Sequence, residues 1–494
     1  MGVEVFMAVS LVLLSGFGAL FQLLRKVNGW FCEWKVGERR FLLPPGDMGW
    51  PLMGNMFHFL RAFKSGNPDS FLSSFVKRFG RTGIYRAFMF GSPTILVTIP
   101  ETCKQVLMDD SNFVPGWPKA TEELIGKKSF LLITPEEHRW LRKVTAAPVN
   151  GHEMLSNYLK FIEASVISSL ESWAQLGEIE FLTELRRLTF RIIMHIFLSL
   201  EGETTMVALE KVYTALNKGI RAMAINFPGF AYYYALKARK TLVAVMQRTI
   251  DERKEVRRSR GHESSTLRKD MLDSLMDVQD ENGRHLADDE IIDTLIMYLN
   301  AGHESSGHIT MWATLLLQQN PLAFQKAKEE QEEILRRRPP NQKGLSLQET
   351  REMVYLSKVI DETLRVVNIS FVVFRQAVND VMINGYIVPK GWKTQVWLRN
   401  VHMDPKVYHE PGTFNPSRWD DYTPKAGSFI PFSAGSRLCP GNDLAKLEIS
   451  VFLHYFLLDY QLERVNPDCA VNYLPHPRPK DNCLARIQKI RRSP

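Results

Sequence analysis

From Ala287 to Asn320 the sequence runs without a proline, and Pro321 then stops it. The apolar patterning predicts a single helix over that stretch, because proline cannot be absorbed into a helix interior. At the standard rise such a rod is about 50 Å long, enough to cross a whole domain. Midway it carries Ala301-Gly302-His303-Glu304-Ser305-Ser306-Gly307-His308. Glycines and back-bonding serines are costly inside an apolar helix, and a purely structural helix rarely keeps them. A kink stabilised by serine back-bonding is the plainer alternative. His303 and His308, five residues apart, fall on different helical faces, so no shared metal site is expected.

The rest of the chain is read around that rod. At 494 residues it exceeds the usual size of one hydrophobic core. Helical patterns dominate from about Glu101 to Tyr460. Strand-prone runs fall near Thr82–Tyr85, Thr94–Thr98, Val381–Val388 and Thr394–Leu398. The expectation is a mainly α fold with a small β-rich region. The charged stretch Glu252–Lys269 reads as an exposed loop, and Lys326–Arg338 as a solvated helix face. The five cysteines, Cys32, Cys103, Cys439, Cys469 and Cys483, form no Cys-x-x-Cys pair. That argues against a disulfide framework and for a reducing compartment. The net charge of +8 comes with no nucleic-acid motif and suits anionic lipid or an acidic protein partner.

Val5 to Leu24 is free of charge and is followed at once by Arg25 and Lys26. Twenty apolar residues rise about 30 Å as a helix, one bilayer span. The basic pair on the following side predicts that the bulk of the protein faces the cytosol. A basic n-region, which a cleaved signal peptide would need, is missing. Leu43-Pro-Pro-Gly-Asp-Met-Gly-Trp-Pro51 then reads as a stiff turn. The expected organisation is an anchor over 1–27, a linker with a proline-rich hinge over 28–51, and a catalytic domain over 52–494.

The sharpest chemistry lies at Phe432-Ser-Ala-Gly435-Ser-Arg437-Leu-Cys439-Pro440-Gly441, followed by an apolar helical stretch from Asn442. A lone thiol is ordinarily a small buried hydrophobe. Here it stands at the mouth of a helix, two residues after an arginine. A helix N-terminus lowers a thiol's pKa, and Pro440 suits a first helical turn. Any N–H···S bond must then come from Gly441, Asn442 or beyond. The pattern Phe-x-x-Gly-x-Arg-x-Cys-x-Gly resembles the haem-thiolate loop of the cytochrome P450 monooxygenases, and the resemblance extends over nearly the whole chain.

That resemblance implies haem b held by Cys439 as the proximal iron ligand, with Phe432 and Gly441 shaping the loop and Arg437 pairing with a haem propionate. His138-Arg-Trp-Leu-Arg142 is similar to the family's Trp/His-x-x-x-Arg helix, which implies propionate contacts from His138 and Arg142. Arg375, in Phe371-Val-Val-Phe-Arg375, matches a strand arginine that pairs with the other propionate. Gly302–Ser306 resembles the oxygen-activation motif, where small residues open a groove over the iron. Glu304 and Ser305 stand there as the acid–alcohol pair that helps deliver protons. Ser305 replaces the commoner Thr and loses the methyl that fixes its rotamer. Glu362-Thr-Leu-Arg365 and the Arg418 of Phe414-Asn-Pro-Ser-Arg418-Trp419 resemble the Glu-Arg-Arg triad that locks the segment behind the haem loop.

Family membership further implies O2 as co-substrate, electrons from NADPH through NADPH–cytochrome P450 reductase, an endoplasmic-reticulum membrane location with one anchor and a cytosolic catalytic domain, and a monomer. The alternatives are a haem-thiolate isomerase or dehydratase and a non-catalytic haem protein. Expected pocket walls supply Trp117, Leu124, Met223, Phe227, Phe230 and Ile369 among others, and imply a bulky apolar substrate. Within the family, the Leu43–Pro51, Thr145–His152, Arg221–Phe230 and Gly302–Ser306 segments resemble the plant ent-kaurenoic acid oxidases. This implies a terpenoid carboxylate, with β-amyrin-type triterpenes as the second expectation. Lys119, Lys127, Lys128 and Arg221 are the candidates to bind the carboxylate.

Overall fold

The computed structural model describes residues 2–200, 202–220, 222–260, 270–280 and 283–490. The long helix is present as Asp288–Gln319. Its start is set by acids: Asp288, Asp289 and Glu290 occupy the first turn, where negative charge complements the helix dipole. The Glu290 carboxylate accepts from the Ala287 backbone N–H at 2.8 Å. The helix ends at Asn320, and Pro321 begins the next helix, Pro321–Arg337, at a position where its missing N–H is harmless.

The chain divides into two units. The first comprises Met1–Gly116, Ser370–Val407 and Lys425–Ile430; the second comprises Trp117–Ile369, Tyr408–Pro424 and Pro431–Pro494. The β-rich first unit holds a five-stranded mixed sheet in the spatial order Ile84–Met89, Ser92–Val97, Lys393–Trp397, Val372–Ala377, Phe113–Pro115. Only Ser92–Val97 and Lys393–Trp397 pair in parallel. The strand-prone run Val381–Val388 is a hairpin of two short strands, Val381–Ile383 and Tyr386–Val388, turned at Asn384-Gly385. Both turn residues have positive φ, as that turn requires.

At the head of this unit the helix Gly2–Val36 runs well beyond the apolar stretch. The proline-rich segment after it is pinned. Asp47 N–H donates to the Arg86 carbonyl at 3.2 Å, and a Cβ on Gly46 would sit 2.0 Å from that same oxygen. Only glycine allows so close a backbone approach.

The second unit is helical. His152–Leu176, Phe181–Leu198, Asp288–Gln319 and Asn442–Asp459 share one core. The last of these is buried nearly all round, as expected of a helix apolar on every face. The helix Ala231–Arg260 corrects one expectation: Glu252–Arg260 is helical rather than loop, and residues 261–269 lie outside the described residues. Its basic face is paired. Arg253 reaches Asp270 at 2.5 Å and Asp273 at 2.8 Å, and Lys254 reaches Asp288 at 2.7 Å. All five cysteines are free.

The helix Glu203–Ile220 packs so closely on Ala231–Arg260 that a Cβ on Gly219 would lie 2.1 Å from the Ala235 Cβ. Gly219→Leu is expected to force these helices apart and cost about 1–3 kcal/mol, read as a fall in melting temperature.

Candidate active site

Cys439 sits in a loop closed by its own backbone. Its N–H donates to the Phe432 carbonyl at 2.9 Å, and Leu438 N–H to Gly435 at 3.1 Å across a short 3-10 turn, Gly435–Arg437. Gly435 has φ +73°, a conformation that side chains resist. The helix begins only at Asn442, capped by Gly441. Pro440 therefore stands before the cap and not in the first turn as expected, because the closed loop holds residues 438–441 out of helical register. The expected N–H···S bond does come from Gly441. Cys439 is only part-buried; desolvation pushes its pKa up while Gly441 and Arg142 pull it down, and the net shift is upward. The N–H at the helix mouth lowers the pKa as expected, and desolvation outweighs it. A coordinated cation would make it a thiolate, since ligation strips a thiol of its proton.

A second helix, Pro135–Asn150, grips this loop. Its start is fixed by a reciprocal cap between Thr134 and Glu137, with Pro135 in the first turn. From it Arg142 donates to the Leu438 carbonyl and Asn150 to the Pro440 carbonyl, bracketing Cys439 on both sides. Arg437 reaches the Phe130 carbonyl at 3.5 Å. The Phe130 ring lies 4.3 Å from the His138 ring. Tyr298, on the long helix, donates to Thr145 of the gripping helix at 2.9 Å. Burial, with opposing help from Thr145 and Arg142, pushes that phenol up to about 12. His138, Arg142, Arg437 and Cys439 are thus brought together. Asn150, Thr145 and Tyr298 were missed from sequence, because a carbonyl clamp leaves no spacing signature.

The polar stretch of the long helix faces several ways. Ala301 is exposed, and the Ser305 hydroxyl on the same stripe donates back to the Ala301 carbonyl at 2.9 Å. Gly302 does not open that side: a Cβ there would meet Ile193 at 3.0 Å, so the glycine serves close packing against Phe181–Leu198. His303 is wedged between the rings of Phe190 and Tyr213, while His308 faces His476. The two histidines diverge, as expected. Glu304 is turned to Arg186, an ion pair of 2.6 Å, and to His476 at 3.8 Å. Arg186 and His476 were both missed. Each comes from a segment far off in the chain.

Glu362 and Arg365 are both fully buried. The guanidinium grips the carboxylate with two bonds, at 2.9 and 2.8 Å, and adds carbonyl bonds to Pro411 at 2.7 Å and Thr413 at 3.2 Å. Arg418 completes the triad at 3.3 Å from Glu362 and reaches the His409 carbonyl at 2.6 Å. Arg375, in the first unit, is buried on strand Val372–Ala377.

The pocket expectations fare unevenly. Leu124 is fully buried, but Met223, Phe227 and Phe230 are exposed. Lys119 and Lys128 are exposed and paired with Glu123 and Asp289. Arg221 lies outside the described residues.

The donor set around the loop fits a haem: one thiol for the iron, and arginines of fixed fork geometry for carboxylates. A Cβ on Gly441 would meet no protein atom within 4 Å, so the protein's own packing does not demand glycine there. Comparison with known proteins agrees. The family model for Cytochrome P450 matches residues 44–476. Ent-kaurenoic acid oxidase 2 of Arabidopsis thaliana is 61% identical over 97% of each chain. Beta-amyrin 11-oxidase of Glycyrrhiza uralensis is 48% identical over 98% of each. The structure of retinoic acid bound cyanobacterial CYP120A1 superposes with TM-score 0.79 at 25% identity, over 91% of this chain and 99% of that one. The chain belongs to the cytochrome P450 family. It is a haem b monooxygenase that takes O2 and, through a reductase, electrons from NADPH.

Two consequences are testable. Arg365→Ala leaves the Glu362 carboxylate buried without its main partner and is expected to cost about 3–5 kcal/mol, measured by chemical denaturation. Burial holds His303 at about 3 and His308 at about 4, against about 6.5 in the unfolded chain. Below pH 6.5 the unfolded state takes up protons that the fold refuses. Their contribution is therefore complete above that pH and lost on acidification, by about 2 kcal/mol per histidine at pH 5. His303→Phe is expected to flatten the fall in melting temperature between pH 7.5 and pH 5.

Proposed function

We propose that this chain oxidises ent-kaurenoic acid at C7 in successive steps to gibberellin A12, as a step of gibberellin biosynthesis. The observation that carries this reading is the 61% identity to an ent-kaurenoic acid oxidase across 97% of both chains, against 48% for a triterpene oxidase.

In this reading Cys439 ligates the haem iron, and Arg142, Arg437, His138 and Arg375 hold the propionates, with Phe432 and Gly441 shaping the loop. The haem supplies the oxygen-activating chemistry, to which a thiolate ligand contributes electron density. The protein's part is orientation and protons. Arg142 and Asn150 fix the carbonyls either side of Cys439, so the sulfur cannot drift. Ser305, on the accessible stripe of the long helix, presents a hydroxyl that can hand on a proton, and Glu304 behind it, paired with Arg186, is the acid that supplies it. Glu362, Arg365 and Arg418 anchor residues 409–418. The chain works as a monomer on the endoplasmic-reticulum membrane, anchored once through its N-terminal helix with the catalytic part in the cytosol. Its basic balance suits an acidic reductase face.

Membranes carrying this protein and a plant NADPH–cytochrome P450 reductase are expected to convert ent-kaurenoic acid, and not β-amyrin, in an NADPH-dependent reaction. Turnover of β-amyrin with no product from ent-kaurenoic acid would overturn the substrate assignment. Cys439→Ser is expected to abolish the red-shifted Soret band of the reduced carbon monoxide complex.

A further inference from the structure

Glu304, His308 and Trp312 stand at i, i+4 and i+8 on the long helix and form one stripe. Against it lies the segment His476–Pro477. The Trp312 indole N–H donates to the Pro477 carbonyl at 2.8 Å. The His308 and His476 rings meet edge to face at 5.1 Å. His476 Nε2 lies 3.8 Å from Glu304 Oε2, while Arg186 binds Glu304 Oε1 at 2.6 Å. Both side chains are nearly buried, with 13% of His476 and 11% of Glu304 accessible.

The tautomer of His476 follows from its other nitrogen. Nδ1 lies 2.9 Å from the Ile369 carbonyl. A carbonyl only accepts, so Nδ1 carries the proton. In the neutral ring Nε2 is then a bare lone pair, and it faces a carboxylate oxygen. Two acceptors placed so attract a donor between them, either a proton on Nε2 or a water that gives a hydrogen to each. The spacing exceeds a direct hydrogen bond and suits one bridging water.

We propose that His476 and Glu304 share one exchangeable proton, making His476 the positioning and proton-holding partner of Glu304. Solvent protonates Nε2. That N–H bond breaks as the Oε2–H bond forms, directly or through one water. The ring is left neutral with its Nδ1–H still on Ile369; Glu304 then gives up the Oε2 proton to the reaction it serves and returns to carboxylate, and a second solvent proton restores the ring. Other charges face the same cluster. Arg186 and Arg478 are cationic and oppose a second positive charge, while burial keeps His308 neutral, near 4. Two guanidiniums and one carboxylate therefore surround the shared proton.

The inference rests on the role given to Glu304 above, and its test separates the two. The full-length holoenzyme is prepared as wild type, His476→Gln, Glu304→Gln and the double variant. Melting temperatures without substrate are taken at pH 6 and pH 8.5. Product formed per NADPH consumed is then followed from pH 6 to pH 8.5. Glutamine keeps the volume and hydrogen bonding of His476 but cannot titrate, so a merely structural role would leave the pH profile unchanged. The expected result is non-additive melting shifts at pH 6 that become additive at pH 8.5. With it, product per NADPH in His476→Gln should fall at least threefold and lose its pH dependence. Additive shifts at both pH values, or a wild-type profile in His476→Gln beside an impaired Glu304→Gln, overturn the proposal. A Glu304→Gln enzyme with unaltered product per NADPH overturns the role of Glu304 itself, and this proposal with it; non-additive melting at pH 6 would then show that the contact exists without serving the reaction.

Discussion

A charge pair with no exposed surface, Glu362 with Arg365, underlies the order of the second unit. Taking two ions out of water is expensive, and the cost is offset only when every donor and acceptor is matched. Here the matching is done by backbone. Pro411 and Thr413 carbonyls take two more N–H groups of Arg365, and the Asn415 N–H donates to Glu362 at 3.0 Å. A stretch without regular structure, residues 409–418, is thereby given one conformation. The Tyr408 ring covers both guanidiniums, 4.9 Å from Arg365 and 6.0 Å from Arg418, which keeps water from competing.

The same economy recurs at the cysteine loop. Neither region is held by a helix or a sheet ladder. Each is an irregular segment whose carbonyls are met by side chains of a neighbouring helix, Arg142 and Asn150 in one case and Arg365 in the other, where Arg418 adds a bond from the segment's own end. Arginine suits this work because its planar fork meets several acceptors at once without losing charge. Irregular backbone placed this way can carry chemistry that a strand or helix could not aim.

The long helix was legible to within a residue, because apolar periodicity and a proline stop write boundaries directly. The triad and the cysteine loop were legible as motifs. What those motif residues touch was not. Arg142 and Arg437 are found on carbonyls, and Gly302 faces Ile193 rather than an open groove, since spacing along a helix does not say which neighbour will cover each stripe. The net direction of the Cys439 shift was not legible for a related reason. A helix terminus is visible in sequence, whereas the burial that outweighs it is a tertiary quantity. Arg186 and His476 left no local sign at all. The charged stretch after Glu252 was misjudged because its acidic partners, Asp270, Asp273 and Asp288, lie further along the chain.

The helix Gly2–Val36 is fastened to the segment that follows it. Arg25 pairs with Asp47 at 2.6 Å, and Asn28 donates to the carbonyls of Met48, at 3.2 Å, and Trp50. Asp47 is in turn tied to Arg86 of the sheet. A rod clamped at one end is a lever. Any tilt of the helix is carried through the clamp into the strands of the first unit. The direction of the helix and the direction of the sheet are therefore set together.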